Sequence, residues 1–114
     1  MTTAHTPAKV AFLIVSDDPA RAIPGLVMAA RMKVNRGTDV RVLLFGPGVK
    51  LAGSGSVDEQ LEALHAAGVG AKACVANVEQ YGLAEEMSAR PVGLLPAGAE
   101  VEEYARQGYT VLSF

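Results

Sequence analysis

Short apolar runs take turns with stretches of helical period along the whole chain, and this alternation limits the possible folds more than any other feature. Lys9–Val15 (KVAFLIV) is almost entirely apolar, as a strand covered on both faces should be. Asp39–Phe45, Ala71–Val75, Pro91–Leu95 and the run from Tyr109 to Leu112 or beyond read as four more strands. Between the first two, Ile23, Val27, Ala30 and Val34 recur at helical steps within Ala20–Asn35, and Gly37 supplies a stop. Pro24 places either a late helix start or a kink inside that segment. Ser56 with Glu59 reads as a capping box opening a second helix along Val57, Leu61 and Leu64, closed by Gly68. Asn77 with Gln80 reads as a cap for a helix over Val78–Ala89, weakened by Gly82. A glutamate-rich helix runs from Ala97 or Gly98 to Gln107, and Gly46–Gly55 reads as a loop. Strands alternating with helices predict an α/β fold: a three-layer α/β/α sandwich with a mainly parallel five-stranded sheet.

The expected organisation is a loose N-terminal tail over residues 1–8, holding His5, followed by a single domain over 9–114. The longest apolar run is Val10–Val15, far short of the roughly 20 residues of a membrane span. The first eight residues lack the apolar core of a signal peptide. Ten Lys and Arg against 12 Asp and Glu give a net charge of −2, which disfavours nucleic acid as the main partner. Cys74 is the single cysteine, so no intramolecular disulfide forms, and a reducing cytoplasm is the expected location. Half the residues are hydrophobic in a chain of 114, a size that buries less than ~70% of its unfolded surface, so association into an oligomer is expected.

In such folds chemistry gathers at the C-terminal edge of the sheet. That edge collects four loops: Ser16-Asp17-Asp18, Gly46-Pro47-Gly48-Val49, Cys74 to Asn77, and Leu95-Pro96-Ala97. Cys74 stands at a strand end just before a helix start, where backbone N–H groups favour an anion. The competing reading is a buried thiol acting as a small hydrophobe. No His or Asp adjoins Cys74 in sequence, and there is no Cys-x-x-Cys pair. The glycine-rich segments match neither GxGxxG nor GxxxxGK, so no nucleotide cofactor is expected. His65 has no second ligand at metal-site spacing and reads as an exposed helix residue, so no metal is expected.

The stretches KVAFLIVSDDPARA, FGPGVKLA, AAGVGAKAC and CVANVEQYGL together resemble the DsrE/DsrF-like family of small α/β proteins, from about Ala8 to Phe114. The resemblance implies a parallel five-stranded sheet, trimers or hexamers, and passage of persulfide sulfur between donor and acceptor proteins. It implies that Cys74 is the sulfur acceptor, ahead of the Gly82-Leu83 pair, with Tyr81 where the family often carries arginine. In that reading Asn77 and nearby N–H groups stabilise the anion, and Ser16, Asp17 and Gly46–Val49 shape the pocket. Asp17 close to the sulfur would oppose the thiolate. Two other roles stay open: a non-catalytic oligomer subunit, and a small-ligand binder at the loop edge. Light scattering is expected to return three or six times the 11.8 kDa chain mass. A single-chain mass at every concentration contradicts the association.

Overall fold

The computed structural model describes residues 6–114, so His5 and most of the expected tail lie outside the described residues. The elements are β1 (Lys9–Ile14), α1 (Pro19–Arg36), β2 (Asp39–Leu44), α2 (Pro47–Ser54), α3 (Asp58–Ala66), β3 (Ala71–Cys74), α4 (Val75–Gln80), α5 (Ala84–Ser88), β4 (Val92–Leu95), α6 (Ala97–Arg106) and β5 (Thr110–Ser113). The five strands form one sheet in the order β4-β3-β2-β1-β5, and every pair is parallel. The α/β/α sandwich read from the alternation is therefore the observed architecture. Among the described residues no helix is long and apolar enough to cross a membrane.

The two faces of the sheet are unequally covered. One face presents Phe12, Ile14, Val42, Leu44 and Ala73, packed against Leu26 of α1, Leu61 of α3, Val78 of α4 and Met87 of α5. The other presents Ala11, Leu43 and Cys74, packed against Ala97 and Tyr104 of α6. The handedness of crossovers explains the imbalance. The chain steps in one direction from β1 to β4, so right-handed connections put their helices on one side. It then returns across the sheet to β5, and the same handedness puts α6 on the opposite side. One ten-residue helix is left to cover a face that five helices cover on the other side.

Local structure follows the expected signals in some places and departs in others. Asp18 caps α1 by accepting from the Ala20 N–H, and Gly37 ends the helix in the left-handed conformation. The helix does not start late: it begins at Pro19 and runs through Pro24, with the loss of the bond to the Ala20 carbonyl. The next residue, Gly25, lets the Phe114 ring lie against the helix, where an added Cβ would sit 2.7 Å from the ring, and that ring stacks on Phe12 at 5.8 Å. Gly46–Gly55 is not a loop: Pro47 opens α2 and Gly55 closes it. Gly48 and Gly53 lower its intrinsic helix propensity, but its buried Val49, Leu51 and Ala52 supply the tertiary packing that overrides it. The Ser56–Glu59 capping box does not form. Val57 is the N-cap of α3 and makes no side-chain cap bond, while the Ser56 hydroxyl lies 2.7 Å from that of Ser54. The helix expected over Val78–Ala89 starts earlier, at Val75, and is split in two around Gly82, whose φ of 65° is left-handed.

Gly48 shows how closely α2 approaches the sheet. A Cβ on Gly48 would lie 2.1 Å from the Ile14 carbonyl oxygen, a backbone atom held in the sheet. Gly48→Ala is expected to destabilise the chain by about 2–4 kcal/mol, read as a lower urea midpoint. Gly70→Ala, whose nearest neighbour is the Lys72 ammonium at 3.9 Å, is expected to stay within about 1 kcal/mol of the parent. Equal midpoints for the two variants contradict the close approach.

Candidate functional site

Cys74 is the last residue of β3, and its register partner is Leu95, the last residue of β4. From β3 the chain turns into α4 on the densely covered face. From β4 it turns into α6 on the other face. Neighbouring strands whose outgoing segments part to opposite sides leave a crevice between them, the usual place for a ligand in an open α/β sheet. Cys74 stands at that divergence.

The side chain of Cys74 falls on the sparsely covered face. Strand alternation puts it beside Leu43 and Lys72 rather than Ala73. It packs in a cluster with Ala11, Leu43, Ala97, Tyr104 and Tyr109, and is 5% exposed. It holds the N-cap position of α4 with extended backbone angles, but its side chain makes no cap bond. An apolar groove of about 250 Å³ opens alongside, lined by Leu13, Phe45, Ala97, Gly98 and Val101. Three of these groove residues, Leu13, Ala97 and Val101, belong to the same cluster as Cys74.

The other end of this cluster is polar. The Arg41 Nε donates to the Tyr109 hydroxyl at 2.8 Å, and that hydroxyl donates to Asp39 at 2.7 Å. The Tyr109 bond is the main cause holding Arg41 above its ordinary pKa. Burial first, and the Asp39 carboxylate second, push the Tyr109 phenol up. The Tyr104 hydroxyl is buried without a hydrogen-bond partner in good geometry. Burial pushes its phenol well above the usual range, and the nearby Glu100 carboxylate adds to this.

The other expected site residues lie at the same sheet edge, distributed around Cys74 rather than on it. Asn77 sits inside α4 instead of capping a helix. Its Oδ1 accepts from the Gly46 N–H at 2.8 Å and its Nδ2 donates to Gln80, so its amide ties α4 to the start of α2. Gly46 is the N-cap of α2, Pro47 is exposed, and Gly48 and Val49 are buried. Tyr81 is half-buried, with the Lys50 ammonium 4.9 Å from its ring centre. Ser16 accepts from the Asp18 N–H, and its own N–H donates to the Phe114 carbonyl. Asp17 is exposed, and no hydrogen bond or ion pair joins it to Cys74 among the described residues. His65 is exposed, as expected. Among the described residues no group of three or more His, Cys, Asp or Glu is placed to hold a metal ion.

Of the residues that enclose the thiol, the sequence pattern puts Ala97 at this edge but does not point to Val101, Tyr104 or Tyr109. Ala97, Val101 and Tyr104 follow helical spacing and form the inward stripe of α6. Glu100, Glu102 and Glu103 interleaved with them obscure this stripe in the sequence. Lys9, Asp39, Arg41 and Lys72 share one face of the sheet, which was the available sign that this face is the less covered one.

The described geometry agrees with known proteins. No curated protein matches the chain. Among solved structures, a conserved protein of unknown function from Bacteroides thetaiotaomicron superposes with a TM-score of 0.82 at 25% identity, over 93% of this chain and 94% of its own. A protein of unknown function from Methanobacterium thermoautotrophicum superposes with a TM-score of 0.76 at 16% identity, over 94% of this chain and 99% of its own. The ychN protein from E. coli gives 0.70 at 17% identity, over 93% and 99%. The latter two likenesses speak to the fold alone. Residues 9–114, nearly the whole sequence, match the DsrE/DsrF-like family, and the chain belongs to that family.

Proposed function

We propose that the protein is a sulfur-carrier subunit that accepts sulfane sulfur as a persulfide on Cys74. The observation that carries this reading is the place of the only thiol, at the end of β3 where the connections leaving β3 and β4 diverge. Family membership supports it. In the reaction, the Cys74 sulfur attacks the outer sulfur of a donor persulfide. A new S–S bond forms, the donor's S–S bond breaks, and the donor leaves as a thiol. The net exchange is Cys74 thiol plus donor persulfide to Cys74 persulfide plus donor thiol, so no oxidant or reductant is consumed. A second thiol on an acceptor protein then takes the sulfur by the same exchange.

The surrounding residues have supporting roles in this proposal. The bond from Gly46 to Asn77 fixes the starts of α2 and α4 beside the crevice. Gly48 and Val49 seat α2 against the sheet, and Ser16, Asp17, Pro47 and Tyr81 form the rim that a partner protein meets. Trimeric or hexameric assembly and a cytoplasmic setting belong to the same proposal. Exposed Phe45, Leu94, Val111 and Leu112 supply apolar surface for association.

The burial of Cys74 favours a second reading, a non-catalytic oligomer subunit in which the thiol only packs. Intact-mass measurement separates the two. After incubation with a low-molecular-weight persulfide donor, the chain is expected to gain about 32 Da, reversed by dithiothreitol and absent in Cys74→Ala. No gain, with a reactive control protein loaded in the same tube, contradicts the carrier reading. If Cys74→Ala also keeps the parent's assembly state, the packing role stands.

A further inference from the structure

We infer that α6 is a displaceable cover over Cys74, and that reagents and partners reach the sulfur when this helix lifts from the sheet. The inference concerns the regulation of the site just proposed, and its meaning for sulfur transfer rests on that reading. The motion itself is independent of it.

The seating of α6 is weak by several measures. Of its ten residues only Ala97 and Tyr104 are buried, with Val101 half-buried between them. Among the described residues the buried Tyr104 hydroxyl makes no hydrogen bond to the sheet, its near polar neighbour being the Glu100 carboxylate of the same helix, so it adds nothing to docking. Cavities flank the helix on both sides. The apolar groove of about 250 Å³ lies along Leu13 and Phe45, and a polar one of about 140 Å³ lies between Arg41 and Gln107. Among the described residues no other helix contributes to the cluster that holds Cys74. An element with few buried contacts opens at a free energy below that of global unfolding. By contrast, α1 to α5 share one large core on the far face, which α6 does not join. Lifting α6 uncovers the thiol while that core stays intact.

The single cysteine makes the test direct, since iodoacetamide alkylates one site by displacement of iodide. Labelling of the full-length protein is expected to be slow compared with an unfolded-chain control. At low urea its rate is expected to rise with a slope well below that of global unfolding. Val101→Ala, which removes part of the helix's inward stripe, is expected to speed labelling about fivefold. Tyr104→Phe, which removes a buried hydroxyl that makes no bond to the sheet, is expected to slow it about fivefold. Three results overturn the inference. They are a urea slope equal to that of global unfolding, a rate equal to the unfolded control, or protection that disappears on dilution because a neighbouring subunit is the cover. A labelling pattern as expected with no persulfide uptake leaves the cover standing and removes the carrier reading.

Discussion

The handedness of crossover connections is the constraint on which this structure depends. Four strands are laid down in one direction, and their connecting helices stack on one face. The fifth strand joins at the far edge beside β1, so its helix must travel across the opposite face. The result is a sandwich with one thick layer and one thin one. The thick side carries the main core around Phe12, Leu44, Leu26 and Leu61, and the thin side carries Cys74. The same topological step creates the crevice between the ends of β3 and β4 and sets how lightly that crevice is covered.

The thin layer reconciles two properties of Cys74 that pull against each other. On the proposed reading, a sulfur carrier must hold a reactive group away from adventitious thiols and oxidants, which calls for enclosure. It must also meet two partners in turn, which calls for access. Enclosure by one short helix rather than by the main core meets both demands. The polar end of that face, with Arg41, Tyr109 and Asp39 linked in a chain, ties β2 to the segment between α6 and β5. Lys9 adds a bond to the Gln107 carbonyl at the foot of the helix. Among the described residues the Ala97 end, beside the apolar groove and Cys74, makes no matching set of side-chain bonds, so the proposed opening is easier at the end where the sulfur lies.

Much of the fold could be read from residue patterns, because strand runs and helix stops are local signals. The five apolar runs and the stop at Gly37 are where the patterns put them. The departures arise where tertiary contact outweighs local preference. Gly46-Pro47-Gly48 reads as a loop, yet Gly48 is glycine because α2 passes too close to the Ile14 carbonyl for a side chain. Asn77 reads as a cap, yet its amide serves a long-range bond to Gly46 that no local pattern encodes. The position of Cys74 at a strand end was legible. The face it occupies is marked by Lys72 two residues earlier, a polar residue in a strand otherwise built of small apolar ones, and by Lys9, Asp39 and Arg41 on the same face of the neighbouring strands. What encloses the thiol was not legible, because Tyr104 and Tyr109 reach it only through the return of the chain across the sheet.

Hydrogen exchange of the intact protein tests most directly whether the thin layer is a separate unit of stability. The account predicts that backbone amides of α6 exchange through an opening much easier than the one that releases the amides of β1, β2 and α1. Equal protection in α6 and in those central elements would show that both faces open together, and would contradict a cover over Cys74 that moves on its own.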